Sequence, residues 1–276
     1  MIINGNTKIV GLIGHPVEHT FSPQMHNAAF EKLKMNYIYT AFDVKPENLN
    51  KVIENAEALD IKGFNVTIPH KVNVIQYLND MDETAKQIGA VNTVDFKNLK
   101  GYNTDGLGAV KAIEEITKVK NKNILIAGAG GASRAIAFYL KKNNVSEITI
   151  LNRNIRKAQN LADELEATSD SITKINQHIK NADILINTTP IGMYPNINDT
   201  PITTAENMHE ELVVFDAVYN PNKTQLLSEA IKAGAKPVYG IKMLLYQGAE
   251  SFRIWTGKKA PVETMEKTLK KTLGQD

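Results

Sequence analysis

Residues 123–136 read Asn-Ile-Leu-Ile-Ala-Gly-Ala-Gly-Gly-Ala-Ser-Arg-Ala-Ile. Ile124 to Ala127 form a short apolar run of the kind a strand buried on both faces requires. Gly128, Gly130 and Gly131 follow at once, and Ala132 to Leu140 carries Ala135, Ile136 and Tyr139 on one side of an expected helix. A strand that turns through glycines into a helix makes an anion site, because free backbone N–H groups and the positive end of the helix dipole meet there. A dinucleotide pyrophosphate is the natural guest. The spacing departs from the usual fingerprint, since Ser133 stands where the third glycine belongs. The alternative is an ordinary strand-to-helix turn of an α/β sheet.

Composition narrows the classes. A chain of 276 residues holds one large or two modest domains and can bury a sizeable core. Its net charge of +2 favours neither nucleic acid nor a membrane surface. With no cysteine, disulfides and thiolate chemistry are excluded. The six histidines have no paired metal spacing, so no metal site is expected. No apolar run approaches membrane length, and the first residues carry no signal-peptide pattern, so a cytoplasmic enzyme is expected.

Working outward, strands are expected at 8–13, 37–42, 61–67 and 90–96, with helices after Ser22-Pro23 and after Pro46, over 72–78 and over 83–88. Ser22 suits a helix N-cap and Pro23 the first turn. An antiparallel hairpin is expected near 98–102, and a helix from Asp105 to about 117 bridges to the glycine stretch. Further strands fall at 147–151, 183–187, 212–217 and 236–239, with helices at 154–166 and 223–233, followed by two helices at about 242–256 and 261–273. This is a two-domain α/β protein. An N-terminal α/β substrate domain (1–104 plus 241–276) stands beside a Rossmann-like, doubly wound nucleotide domain (105–240), and the C-terminal helices return to the first domain. Hinge motion is expected about 104–107 and 239–241.

About twenty residues past the loop, where an NAD-binding fold places an acid, stand Asn152 and Arg153, with Arg156 and Lys157 beside them. A carboxylate would repel a 2′-phosphate, whereas a guanidinium holds one through paired hydrogen bonds. NADP is therefore expected over NAD; a basic, solvated helix start is the alternative.

Two stretches look unlike scaffold: Asn65-Val-Thr-Ile-Pro-His-Lys71 and Gly101-Tyr-Asn-Thr-Asp-Gly106. Ligands of open α/β sheets gather at the carboxyl ends of strands, and a lysine with an aspartate there could handle the proton that accompanies a hydride. Each has a plainer reading. Lys71 could be a surface lysine, Asp105 and Ser22 only caps, and Asn92 only a turn former.

The ordered set of motifs at 14–27, 65–71, 89–93, 101–106, 128–135, 152–153, 187–193, 216–221 and 243–249 resembles the shikimate dehydrogenase family over nearly the whole chain. The resemblance implies reversible NADPH-dependent reduction of 3-dehydroshikimate to shikimate, in aromatic amino-acid biosynthesis. It implies Lys71 and Asp105 as the catalytic pair, with Lys71 delivering a proton and Asp105 orienting it. It implies Thr20, Ser22, Thr67, Asn92, Tyr219 and Gln247 as substrate-binding residues. Cofactor positions are Gly128, Ala129, Gly130, Gly131, Ala132, Asn152, Arg153, Gly240 and Met243, with Glu83 and Ala217. Thr20 stands where the family mostly has serine. Asn154 and Lys157, also at cofactor positions, replace a usual threonine and a second arginine, and lysine lacks the planar fork. A quinate or dual quinate/shikimate dehydrogenase is the nearest rival, and a non-catalytic NADP-sensing module is a rival of another class. Partners are expected to be small molecules only, with neither nucleic acid nor membrane, in a monomer or homodimer.

Overall fold

The computed structural model describes residues 3–274, and the chain divides into two compact units, residues 1–104 with 247–276, and residues 105–246.

The first unit is built on six strands. In chain order its elements are β1 (Lys8–Gly14), α1 (Ser22–Lys32), β2 (Tyr37–Asp43), α2 (Leu49–Ala56), β3 (Ile61–Val66), β4 (Asp80–Met81), α3 (Glu83–Ile88), β5 (Thr93–Asp95) and β6 (Lys100–Tyr102). The sheet order is β2-β1-β3-β5-β6-β4. β1 lies parallel between β2 and β3, and β5 pairs antiparallel with both β3 and β6, so the expected hairpin is present. Val66, Phe64, Val94 and Ile53 are buried together beneath it. Four X-Pro bonds in the chain are cis, and two of them, His15–Pro16 and Ile68–Pro69, lie in the loops that leave β1 and β3.

The second unit begins with α4 (Asp105–Glu114) and continues through β7 (Asn123–Ala127), α5 (Gly131–Lys142), β8 (Glu147–Asn152), α6 (Ile155–Leu165), β9 (Thr168–Ser171), α7 (Ile175–His178), β10 (Ile184–Asn187), β11 (Val213–Asp216), α8 (Gln225–Lys232) and β12 (Lys236–Tyr239). All its strand pairs are parallel, in the order β12-β11-β10-β7-β8-β9. That order is the doubly wound dinucleotide arrangement. The apolar run of β7 is continuous because it serves two cores. Ile124 and Ile126 pack with α4, α5 and α6 on one face, while Leu125 and Ala127 pack with α7 and α8 on the other. α9 (Gly240–Thr256) and α10 (Val262–Thr272) follow, and the segment from Gln247 belongs to the first unit, where α10 packs on α1.

Several local expectations are corrected. Ser22 is the first residue of α1 rather than its cap; Phe21 holds the cap position and makes no side-chain cap bond. The helix expected over 72–78 is a short 3₁₀ turn at Asn73–Tyr77, and Val74 is buried where Val72 is 61% exposed. Three residues per turn instead of 3.6 moves the inward positions. Ile116 lies beyond α4 and is exposed. The strand expected over 90–96 shortens to β5. β9 and the turns of 172–181 carry no apolar alternation legible in advance: β9 reads Thr-Ser-Asp-Ser at the sheet edge.

His26 of α1 is fully buried, both its ring nitrogens lack a partner, and burial pushes its pKa down to about 3 from 6.5. The folded chain keeps the ring neutral, while the unfolded chain protonates it below its ordinary value. The unfolded state therefore binds more protons in that window, and stability is lost as pH falls from 6.5 toward about 3. Urea unfolding at pH 7.5 and 5.5 should show the parent chain losing roughly 1.4 kcal/mol more than His26→Phe. An equal pH dependence in the two chains would rule the contribution out.

Candidate functional site

The carboxyl ends of β1 and β3, with β5 and the Gln247–Ser251 turn of α9, gather the polar side chains of the first unit. Asn65 is 5% exposed and Asn92 2% exposed. Asn65 Nδ2 donates to Asn92 O at 3.2 Å, Thr93 Oγ1 at 3.1 Å and Ser251 Oγ at 2.9 Å. Its Oδ1 accepts from the Tyr39 hydroxyl at 2.9 Å. Asn92 Oδ1 accepts from Thr104 N at 2.8 Å, and Asn92 Nδ2 donates to Thr104 Oγ1 at 3.0 Å and Gln247 Oε1 at 3.4 Å. The Ser251 hydroxyl meets Gln247 O at 3.0 Å and Thr93 Oγ1 at 2.8 Å. Ser22 is buried. Thr20 lies beside it, accepting from Ser22 N through Oγ1 at 3.3 Å. A site with so many fixed donors and acceptors suits a polyhydroxylated ring.

Lys71 is half-buried just past the turn that leaves β3, and its carbonyl accepts from Val91 N at 2.8 Å. Thr67 sits at the start of that turn, with its backbone N–H bonded to Ile13 O at 2.9 Å. A Cβ on Gly14 would lie 2.3 Å from Thr67 Cγ2, so only glycine lets β1 approach this turn. Glu83 is exposed in the first turn of α3 and pairs with Lys86 at 3.4 Å.

In the second unit, β7 runs into the glycine loop and α5. Gly128 has φ of 115°, and a Cβ there would stand 2.3 Å from Thr188 Oγ1. Ser133 fills the role left by the missing third glycine differently. It is fully buried, accepts from Gly130 N at 3.3 Å and bonds the Thr188 hydroxyl, so the loop is braced by hydrogen bonds. Around Gly130 and Gly131 no atom lies within 4 Å of where a Cβ would stand. Ala129 packs against the core beside the loop, and Ala132 follows in the first turn of α5. At the end of β8, Asn152 Nδ2 donates to Asn154 O at 3.0 Å, and Asn154 caps α6 by accepting from Lys157 N at 3.3 Å. The Arg153, Arg156 and Lys157 side chains are exposed. Asp105 opens α4 at 8% exposure, and close packing of that helix on α5 forces Gly106, whose Cβ would fall 2.3 Å from Ala135 O.

The ends of β10 and β11 are tied by Asp216, which is fully buried. Its Oδ1 accepts from Asn187 Nδ2 at 2.9 Å and Val218 N at 3.1 Å, and its Oδ2 from Thr224 Oγ1 at 2.6 Å. Burial pushes its pKa up to about 6 against those bonds. The same carboxylate thereby sets the loop carrying Ala217 and Tyr219, whose hydroxyl pKa burial raises. Gly240 fits only as glycine, with Asp216, Val218 and Ala217 carbonyls within 2.8 Å of a would-be Cβ. Met243 packs on the core of this unit.

The structure thus bonds Asn92 to Gln247 and Thr20 to Ser22 within the first unit, and places the loop residues, Ala217, Tyr219 and Gly240 at strand ends of the second. Sequence reasoning did not select Tyr39, Thr93, Thr104 and Ser251, nor Asn187, Asp216 and Thr224. Thr93, Thr104, Asn187 and Asp216 lie inside motif stretches, whereas Tyr39, Thr224 and Ser251 were signalled only by a polar group in an apolar neighbourhood.

Comparison with known proteins agrees with this geometry. A family model described as the shikimate dehydrogenase substrate binding domain matches residues 12–94, one described as shikimate / quinate 5-dehydrogenase matches 110–224, and one described as the shikimate 5′-dehydrogenase C-terminal domain matches 240–270. The shikimate dehydrogenase (NADP(+)) of Methanobrevibacter smithii is 65% identical, over 99% of both chains. The chain belongs to the shikimate dehydrogenase family. Among solved structures, a shikimate dehydrogenase in complex with NADP⁺ is 50% identical with a TM-score of 0.94, covering 99% of this chain and 98% of that one. The Thermus thermophilus enzyme in complex with NADP(H) and shikimate is 34% identical with a TM-score of 0.89, covering 97% and 100%. In this family member no helix among the described residues is long and apolar enough to cross a membrane.

The open space at Gly130 is what a phosphate at a helix start needs, and a methyl group would enter it. Gly130→Ala should therefore raise the NADP KM about tenfold or more at an unchanged melting temperature and an unchanged shikimate KM. A parent-like NADP KM would show that the loop does not seat the pyrophosphate.

Proposed function

We infer that this chain catalyses the reversible NADPH-dependent reduction of 3-dehydroshikimate to shikimate. The observation that carries the reading is the full-length match, at 65% identity, to a relative named for that reaction. The buried polar cluster of the first unit and the braced glycine loop of the second support it. NADP fits the second unit: space is open beside Gly130 and Gly131 where a Cβ would stand, and Arg153 is exposed past β8 where a 2′-phosphate is read in such folds. Bound NADPH supplies the hydride. Lys71, as an ammonium, stabilises the negative charge that grows on the substrate carbonyl oxygen and delivers the proton to it. Asp105 accepts a hydrogen bond from a neighbouring ring hydroxyl and serves as the second member of the catalytic pair. Thr20 and Ser22 hold the carboxylate, with Thr67 and Tyr219 beside the ring. Asn92 and Gln247 hold ring hydroxyls, and an analogue lacking one would leave them unpaired. Glu83, Asn152, Asn154, Lys157, Ala217, Gly240 and Met243 complete the cofactor contacts. The domains 1–104 with 241–276 and 105–240 carry substrate and cofactor, in a cytoplasmic monomer or homodimer.

The family model that matches residues 110–224 covers quinate as well as shikimate enzymes, so quinate is the second reading. Absorbance at 340 nm with shikimate or quinate, each with NADP or NAD, tests both. Turnover of shikimate with NADP alone supports the main reading. Comparable rates with quinate favour the dual enzyme, and binding of NADPH without any turnover favours a sensor. In the same assay, Lys71→Ala should lower kcat by about 10²–10⁴-fold with little change in shikimate binding. A near-normal kcat refutes the role. Arg153→Ala should raise the NADP KM about tenfold and leave that for NAD unchanged, since NAD has no 2′-phosphate to lose. An intact NADP preference refutes it.

A further inference from the structure

His70 stands one residue before Lys71 and has no part in the chemistry above. Between Val66 and Val74 it is the one buried residue: Ile68, Pro69, Val72 and Asn73 are exposed, and Thr67 and Lys71 are half-buried. Apolar burial therefore does little to hold the turn on either side of the lysine. The imidazole of His70 is fully buried, and its Nε2 lies 2.6 Å from Val44 O. A carbonyl oxygen can only accept, so Nε2 carries the proton of that bond. Nδ1 is buried without a partner among the described residues, so the ring is held through Nε2. The backbone of His70 is held as well. Its N–H donates to Thr67 O at 2.9 Å, and its carbonyl accepts from Val74 N at 2.9 Å.

The bond to Val44 crosses a strand. In the order β2-β1-β3, the strand that leads to Val44 and the strand that leads to His70 are not neighbours, because β1 lies between them. The imidazole joins those two strand exits across the exit of β1. Backbone bonds complete the circuit: Val44 N donates to Gly14 O at 2.8 Å, His15 N to Ile68 O at 3.0 Å, and Thr67 N to Ile13 O at 2.9 Å. Those links need no particular side chain. The link from His70 to Val44 does, and an apolar residue in its place would leave Val44 O without this donor.

We propose that His70 is a positioning residue for Lys71: by bonding Val44 O, its imidazole fixes the turn from which the lysine acts. The inference rests on the reading of Lys71 as proton donor given above. On its other side Lys71 is held by its own carbonyl, which accepts from Val91 N at 2.8 Å. The lysine backbone is thus anchored from both directions, one anchor being a side chain and the other a backbone bond. His70 touches no reacting atom. What it controls is where the ammonium starts from, and a misplacement of about 1 Å costs a reacting group about 10²-fold in rate.

The 340 nm assay with shikimate and NADP, run beside thermal unfolding, tests this with a set of replacements. His70→Leu removes the donor, and kcat should fall about 10–100-fold while the NADP KM stays parent-like. His70→Asn keeps an amide but is too short to reach Val44 O with it, and kcat should fall as far. His70→Gln carries its Nε2 as many bonds from Cα as the imidazole does, and should recover most of the lost kcat. If His70→Leu does not fold, the comparison of His70→Asn with His70→Gln decides alone. General support of the fold is separated from positioning by a double variant. In a Lys71→Ala background, His70→Asn should lower kcat by no more than about twofold further, because the group it positions is gone. A parent-like kcat in His70→Asn, or a His70→Gln no better than His70→Asn, would overturn the positioning role. So would a His70→Asn effect that persists in full in the Lys71→Ala background. A Lys71→Ala chain with near-normal kcat would instead remove the proton-donor reading, and the inference with it.

Discussion

The amide of Asn65 imposes the constraint on which the first unit depends. It lies at the inner end of β3 with almost no exposure, where each unmade hydrogen bond would cost about 1–3 kcal/mol. Its Nδ2 is met by the β5 end through Asn92 and Thr93 and by α9 through Ser251, and its Oδ1 by β2 through Tyr39. One side chain thus ties together two strands and a C-terminal helix. A cluster with every member bonded is rigid, and rigidity is what a site for a small hydroxylated acid requires.

Asp216 does the corresponding work in the second unit. Its carboxylate holds the ends of β10 and β11 together through Asn187 and caps the turn at Val218. It also bonds Thr224, whose hydroxyl in turn accepts from Leu227 N at the start of α8. Burial works against the charge while these bonds favour it, and burial prevails in direction. The loops held this way are those at the carboxyl ends of a doubly wound sheet, where such folds bind their ligands. Both units therefore use the same device: a polar residue placed at the end of an apolar strand, satisfied by groups from other elements.

Much of this was legible beforehand because it is local. The glycines, the two-faced apolar run of β7 and the Asn154 cap lie within a few residues of the features they create, and so does the basic pair after β8. The polar clusters were less legible. Tyr39 reads as one more aromatic in a strand, and Ser251 as one small residue in an amphipathic helix. Ser22 shows the limit in a single side chain. Its sequence neighbourhood, with proline next, argues for a helix cap, but the structure places it one position further in, as the first residue of α1. The 3₁₀ turn at 73–77 failed for a related reason, since a period of three cannot be told from one of 3.6 over five residues.

From the order of residues alone follow the α/β class, the parallel doubly wound order of the second half, the glycine-loop anion seat and the absence of thiol chemistry. Motif order over the whole chain identifies the family. Periodicity and turn chemistry act over a few residues, so a linear reading recovers them. Which polar groups are satisfied by which was settled by the folded chain. Asn92 finds Gln247 155 residues away, and Asn65 finds Ser251 186 residues away. No local pattern encodes those pairs. They exist because a buried polar group must be paired, and the fold brings the partner.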